Sequence, residues 1–254
     1  MTFLVVLIAL LIERFLNCSH LRNWHWYSFR ERFIEKKLPN SSPYLQLALV
    51  WLPPAIVVGI VQLLLRGWLH ESILFLFELA IVIYCIGPRN LWVDSTVKTP
   101  ISDDASTLPE PAFLGHVFVQ ANSRVFGLIF WYAIFGPVAA VLYRTITMLA
   151  LEPAEGNTCV YGALAKKVHA IIDWIPVRVF TFGFSLAGHF VRTLAVWRKQ
   201  VKLPPENNEI ILIDCGLAAL GSEADVAMDK SAISLVDRVF VITLVVIALL
   251  SFVV

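Results

Sequence analysis

Charge is what this chain has least of. Only 15% of its 254 residues are Asp, Glu, Lys or Arg, against about 25% in an ordinary soluble domain. Hydrophobic residues make up 58%, and the mean hydropathy is +0.75. A composition this poor in charge excludes a wholly soluble fold and indicates an integral membrane protein. The net charge of +1 gives no basis for a nucleic-acid partner. Cysteine is sparse too. Cys18, Cys85, Cys159 and Cys215 lie far apart and form no CxxC pair. That argues against a zinc centre or disulfide framework and fits a reducing or bilayer setting. A Walker A word, a dinucleotide glycine pattern after a strand and an HExxH word are all missing. Neither a cofactor nor a metal is expected.

What the chain has is apolar runs. Residues 2–12 are almost wholly apolar and meet Glu13-Arg14 at once. No basic leader and no small-residue cleavage site mark a signal peptide, so an uncleaved first helix is expected. Residues 45–65 carry no charge and are long enough for a hydrocarbon core of roughly 30 Å, with a kink expected at Pro53-Pro54. Residues 72–87 form a third run around Glu78 and stop at Gly87-Pro88. Residues 239–254 form the last. Arg14, Arg22, Arg30, Arg32, Lys36 and Lys37 crowd the first connection, whereas Arg66 is alone in the second. The excess of basic residues places the first connection in the cytoplasm, with both chain ends outside. Its Trp24, Trp26, Tyr27, Phe29 and Phe33 alternate with the bases, as in a helix lying on the inner leaflet.

Two further segments are apolar but interrupted. Residues 125–151 are halved by Gly136-Pro137 into pieces of re-entrant length. Residues 171–197 open on Asp173-Trp174-Ile175-Pro176-Val177-Arg178. Proline is tolerated in a first helical turn, and an acid there complements the helix dipole. The hexad is therefore expected to head a membrane-embedded helix. Ionisable groups at that depth usually face a protein interior or cavity, which makes Asp173 and Arg178 candidates. Glu13, Arg14 and Glu78 are further ionisable groups at or within the bilayer, and Glu13-Arg14 reads as an interfacial anchor. Arg144 ends an apolar run, where it can snorkel. His116 and His169 have no ligand partner at metal spacing. Ser185 lacks the elbow of a hydrolase nucleophile. The stretches 89–122 and 199–234 are acidic and proline-bearing; Ile210–Ile213 within the second is read as a small strand or packed patch.

These words together resemble a known superfamily. Trp131-Tyr132-Ala133-Ile134-Phe135-Gly136-Pro137, continuing to Tyr143-Arg144, is followed by Asp173-Trp174-Ile175-Pro176-Val177-Arg178. Their order and spacing, from about Ala112 to Gly188, look like the AmpE and CobD/CbiB superfamily. The apolar start ending in Glu13-Arg14, the basic aromatic loop and the lone C-terminal run resemble the AmpE branch. CobD/CbiB proteins are membrane enzymes that form an amide in cobalamin synthesis. AmpE proteins are inner-membrane proteins associated with β-lactamase induction and encoded with the cytosolic amidase AmpD. The enzyme branch has a Glu-Asn-x-Ser-Asp-Gly word where this chain has Gln120-Ala121-Asn122-Ser123-Arg124-Val125. It has Asn-Thr-Leu-Asp where Thr147-Met148-Leu149-Ala150 stands, and Arg-Leu-Asp-Asp where Lys167-Val168-His169-Ala170 stands. Acids are thus replaced at Gln120, Arg124, Ala150 and the His169-Ala170 pair. Nucleotide-driven amide formation needs carboxylates to hold magnesium, so the resemblance implies a retained scaffold without that chemistry.

The expected fold is all-α and polytopic, with four transmembrane helices plus two embedded or re-entrant segments; six spans is the alternative. The expected parts are an N-terminal membrane region 1–88 with its basic cytoplasmic loop 17–44, a core 89–198, an acidic cytoplasmic segment 199–235 and a C-terminal helix 236–254. The expected role is non-enzymatic, in inner-membrane signalling linked to cell-wall stress. Its partners would be the lipid bilayer and a protein or peptidoglycan-derived ligand in an AmpD-linked pathway. Asp173, Trp174, Pro176, Arg178, Tyr143, Arg144, Asn122 and Ser123 are the candidate site, with Gly136 and Pro137 as structural motif. A divergent cobalamin-type ligase and a carrier for small solutes or lipid headgroups are the alternatives.

Overall fold

The structure, a computed structural model, describes residues 2–15, 42–68, 71–86, 110–151, 161–221 and 228–253. The expected basic loop, Cys18, Cys159 and most of 89–122 lie outside them. The described chain is helical, with no strand among the described residues. The helices are α1 (Thr2–Phe15), α2 (Pro43–Trp68), α3 (Glu71–Ile86), α4 (Glu110–Ala121), α5 (Gly127–Phe135), α6 (Pro137–Leu151), α7 (Gly162–Ala187), α8 (Phe190–Gln200), α9 (Asn208–Leu220) and α10 (Met228–Val253). A π-helical turn, Asn122–Phe126, joins α4 to α5, and a 3₁₀ turn, Pro205–Asn207, precedes α9.

The chain forms two compact units, 1–88 with 128–172 and 89–127 with 173–254. In the first, α2 and α3 both pack on α6, and α1 packs on α3. Leu47 and Val50 of α2 meet Ile146 and Leu149 of α6, with Tyr161 and Ala165 completing the cluster. The Trp51 indole N–H donates to Leu142 O at 2.8 Å. Pro43 suits the first turn of α2, where N–H groups lack partners anyway. α2 then runs through Pro53 and Pro54 as one helix.

The corner between α5 and α6 follows the sequence directly. Gly136 has φ +78°, a region that side chains disfavour. Pro137 supplies the fixed φ of a helical first residue. Gly136 N donates to Tyr132 O at 2.8 Å, and Gly136 O accepts from Ala140 N at 3.3 Å. One residue thus closes one helix and opens the next, leaving little backbone to be satisfied in lipid.

The second unit is built on aromatic rings and close glycines. Phe126 and Phe184 lie 4.5 and 4.7 Å from Phe180, and Phe118 lies 5.1 Å from Phe184. Gly216 of α9 packs against the Phe118 ring, and Gly183 of α7 against Val239 of α10. Small residues let membrane helices approach where hydrophobicity alone gives no drive.

Among the described residues, four helices are long and apolar enough to cross a membrane: Pro43–Gly67, Leu114–Phe135, Gly162–Ala187 and Ser231–Ser251. The all-α, multi-pass expectation holds, but the identities are distributed differently. The first and third runs form helices of 14 and 16 residues, shorter than these spans. Two segments expected to be embedded instead extend upstream through polar residues and become long enough to span. Ile210–Ile213 is not a strand: it lies inside α9, with Ile211 and Leu212 buried as in the packed patch. Gly216, Ala218 and Ala219 continue that helix while diluting its apolar signal. The outer faces of α2 and α10 expose Ile56, Val57, Ile60, Leu63, Val241, Val245 and Leu249, as lipid contact requires.

Candidate functional site

The hexad does not head a helix. α7 begins at Gly162, so Asp173, Pro176 and Arg178 all lie in its interior. An acid and a proline before an apolar run imitate a first turn. Here the polar stretch Lys166–His169 is already helical. Asp173 is 4% exposed and Arg178 6%.

The second unit ties these residues to distant ones. Asn122 Nδ2 donates to Asp173 Oδ2 at 2.8 Å. That bond fixes the amide: its nitrogen faces the carboxylate and its oxygen points away. Asn122 Oδ1 and the neighbouring Ser123 Oγ are buried and make no hydrogen bond among the described residues. Leaving such atoms unpaired costs free energy. Both sit in the π-turn, an interruption often found at functional sites. The sequence expectation thus gathers at one point, with Asn122 and Asp173 in contact and Ser123 adjacent.

Arg178 serves another purpose. Its Nε donates to Val201 O at 3.3 Å, Nη1 to Trp174 O at 3.1 Å and Nη2 to Leu203 O at 2.8 Å. Nη1 also donates to Asn208 Oδ1. The guanidinium lies 4.5 Å from the centre of the Trp174 ring, near enough for a cation–π contact. The Trp174 indole donates to Leu203 O at 3.2 Å, and Trp197 Nε1 to Arg178 O at 3.2 Å. Arg178 therefore clasps the turn between α8 and α9 to α7. Its base is engaged with backbone carbonyls and with Asn208. Pro176 leaves α7 continuous.

In the first unit, Tyr143 and Arg144 of α6 are buried at 1% and 2% exposure, so Arg144 is no snorkelling end. The Tyr143 ring lies 6.0 Å from that of His169. Glu13 is likewise buried, while Arg14 is exposed. Glu78 accepts from Tyr132 Oη at 2.9 Å and faces Gln62 Nε2 at 3.5 Å. Tyr132, Gln62 and Asn208 are partners that single-residue reading missed. No local pattern announces them, because each partner comes from a distant helix.

A multi-pass helical membrane protein with buried polar contacts between its helices is the class these features define. Residues 114–253 match the family described as "Regulatory signalling modulator protein AmpE". The chain belongs to that family. It is also similar to the cobalamin biosynthesis protein CobD of Stutzerimonas stutzeri, at 27% identity over 173 residues, 61% of this chain and 56% of that protein. A CobD protein of Chromobacterium violaceum is 26% identical over 127 residues, 48% of this chain and 41% of that protein. The chain spans about half the length of these curated relatives. No solved structure matches it.

Proposed function

We propose that this chain is a non-enzymatic signalling or accessory protein of the bacterial inner membrane, acting in β-lactamase induction under cell-wall stress, with both termini in the periplasm. Its buried Asn122–Ser123–Asp173 point senses or binds a protein partner or wall-derived ligand in an AmpD-linked pathway. The observation that carries this reading is the engagement of the hexad's base. Arg178 is bound to carbonyls and Asn208, so its guanidinium is taken up in holding α7 to the turn between α8 and α9. The family description supports it as well. The positions Gln120, Arg124, Ala150, His169 and Ala170 add weight, because a magnesium-dependent ligase would need carboxylates there.

Deletion of the gene in a host with an inducible β-lactamase tests the reading. Induction should shift across inducer concentrations, and Asp173→Asn should reproduce part of the shift. An unchanged induction profile overturns it.

One observation favours a second reading. The free oxygens of Asn122 and Ser123 lie in the word that resembles the ligase site, in a chain similar to CobD proteins. Rescue of a cobinamide-phosphate synthase mutant by this chain would establish that reading, and failure to rescue would remove it.

A further inference from the structure

The second unit contains a cleft that none of the sequence motifs predicts. It encloses about 360 Å³ and is lined by Ala187, Gly188, His189, Ser231, Ser234 and Arg238, with Ala219, Leu220 and Leu235 at its apolar side. That volume falls in the range of small-ligand sites. Ser231, Ser234 and Arg238 are spaced three and four residues apart on α10, which puts them on one helical face. The opposite wall is the Ala187–His189 corner between α7 and α8.

Glycine shapes this wall. A Cβ on Gly188 would lie 2.6 Å from Ala219 O. A Cβ on Gly221 would lie 2.5 Å from the His189 ring, and Gly221 itself has φ +63°. The corner therefore closes only with glycine at both places.

The lining has a sign. Among the described residues, His189 and Arg238 are its ionisable lining and no Asp or Glu lines it. Two helices end nearby with carbonyls that would oppose an anion, but these are occupied. Ala219 O accepts from His189 N at 3.1 Å, and Ala187 O accepts from Arg238 Nη1 at 3.4 Å. That long contact is the one hydrogen bond Arg238 makes among the described residues, so most of its planar fork remains open. An exposed arginine fork beside two serine hydroxyls matches the oxygens of a phosphate group.

The depth is set by the helices. Two of the apolar spans meet the cleft at their ends, Gly162–Ala187 at its last residue and Ser231–Ser251 at its first. In a bilayer crossed by these two helices, the cleft would stand where hydrocarbon gives way to headgroups.

We propose that this cleft binds a phosphate monoester or diester anion, gripped by Arg238 with Ser231 and Ser234. The anion is either the headgroup of an acidic phospholipid or a water-soluble phosphate ester. The site is separate from the Asn122–Asp173 point and independent of the function proposed above.

The test uses the full chain purified in a neutral maltoside detergent, titrated with phosphatidylglycerol, phosphatidylcholine and glycerol 3-phosphate. Binding is read by native mass spectrometry and by thermal stabilisation. Phosphatidylglycerol should bind better than phosphatidylcholine. Arg238→Gln should weaken it roughly tenfold, the effect of one charge-assisted hydrogen bond. The Ser231→Ala, Ser234→Ala double variant should weaken it less. Arg238→Lys should recover part of the affinity, and Arg192→Gln, an exposed base on α8, should leave it unchanged. Selective binding of phosphatidylglycerol alone identifies the lipid source. Comparable binding of glycerol 3-phosphate identifies a soluble ester. Equal lipid binding by wild type and a folded Arg238→Gln protein overturns the proposal. If Arg238→Gln does not fold, unchanged binding by the double serine variant overturns it instead.

Discussion

Replacing Arg178 with alanine should unlatch α8 and α9 from α7. The guanidinium reaches Val201 O, Leu203 O, Trp174 O and Asn208 Oδ1. Alanine removes the donor to Val201 O and to the buried Asn208 Oδ1, while Leu203 O keeps the Trp174 indole N–H. A hydrogen bond to a charged group contributes about 1.5–3 kcal/mol, and partners left unsatisfied cost about 1–3 kcal/mol each. Removing the arginine also returns its own desolvation penalty, so the contributions do not simply add. A loss of about 3–5 kcal/mol follows, the range for breaking a buried charged contact. In a chain this long it corresponds to a fall in Tm of roughly 6–20 °C. Arg178→Lys keeps a charge but not the fork, and should fall between alanine and wild type. The measurements are thermal unfolding in detergent and the rate of proteolysis at Val201–Leu203. An Arg178→Ala protein that melts with wild type and resists protease equally would refute the clasp. Comparable loss from Arg192→Ala, an exposed arginine on α8, would show the effect to be unspecific.

The remaining predictions concern packing and titration. Gly216→Ala places a Cβ 2.4 Å from the Phe118 ring, while Gly59→Ala meets Val138 at an ordinary 3.6 Å. The first should lower stability by about 1–3 kcal/mol, as overpacking does, and the second should be nearly neutral; both are read by thermal melts. Tyr132→Phe removes the 2.9 Å donor to Glu78 and should cost about 1.5–3 kcal/mol, the scale of a hydrogen bond to a charged acceptor. A double-mutant cycle with Glu78→Gln measures that coupling, and a coupling near zero would contradict the contact. The Cys215 thiol is pushed up to about 12 by burial, with the charge of Asp214 adding to the shift. The folded chain should therefore resist maleimide at pH 8 and react on unfolding. Because the folded value is the higher one, the contribution of Cys215 to stability is intact below pH 9 and is lost as pH rises towards 12.

The sequence made some of this legible and hid the rest for physical reasons. The Gly136-Pro137 corner could be read in advance because both residues act through their own backbone. The helical membrane class followed from composition. Asn122, Ser123 and Asp173 were singled out one by one, but the bond between positions 51 residues apart had no local signature. Arg178 was singled out too, but its partners are mainly backbone carbonyls, which carry no residue identity. The start of α7 was misplaced because Lys166, Lys167 and His169 lower the hydropathy without disturbing the helix. Nor does any residue type mark a π-turn, whose presence reflects an extra residue accommodated within an otherwise regular rod.

That extra residue gives the chain an unusual arithmetic. An α-helix advances about 100° per residue. Deleting one residue from Asn122–Phe126 would allow ordinary helix to form there, removing the bulge without placing any foreign side chain. The residues that follow it would then be turned about the helix axis by about that angle. A substitution in this turn tests one atom, whereas a deletion tests the phase relation between two faces of one rod.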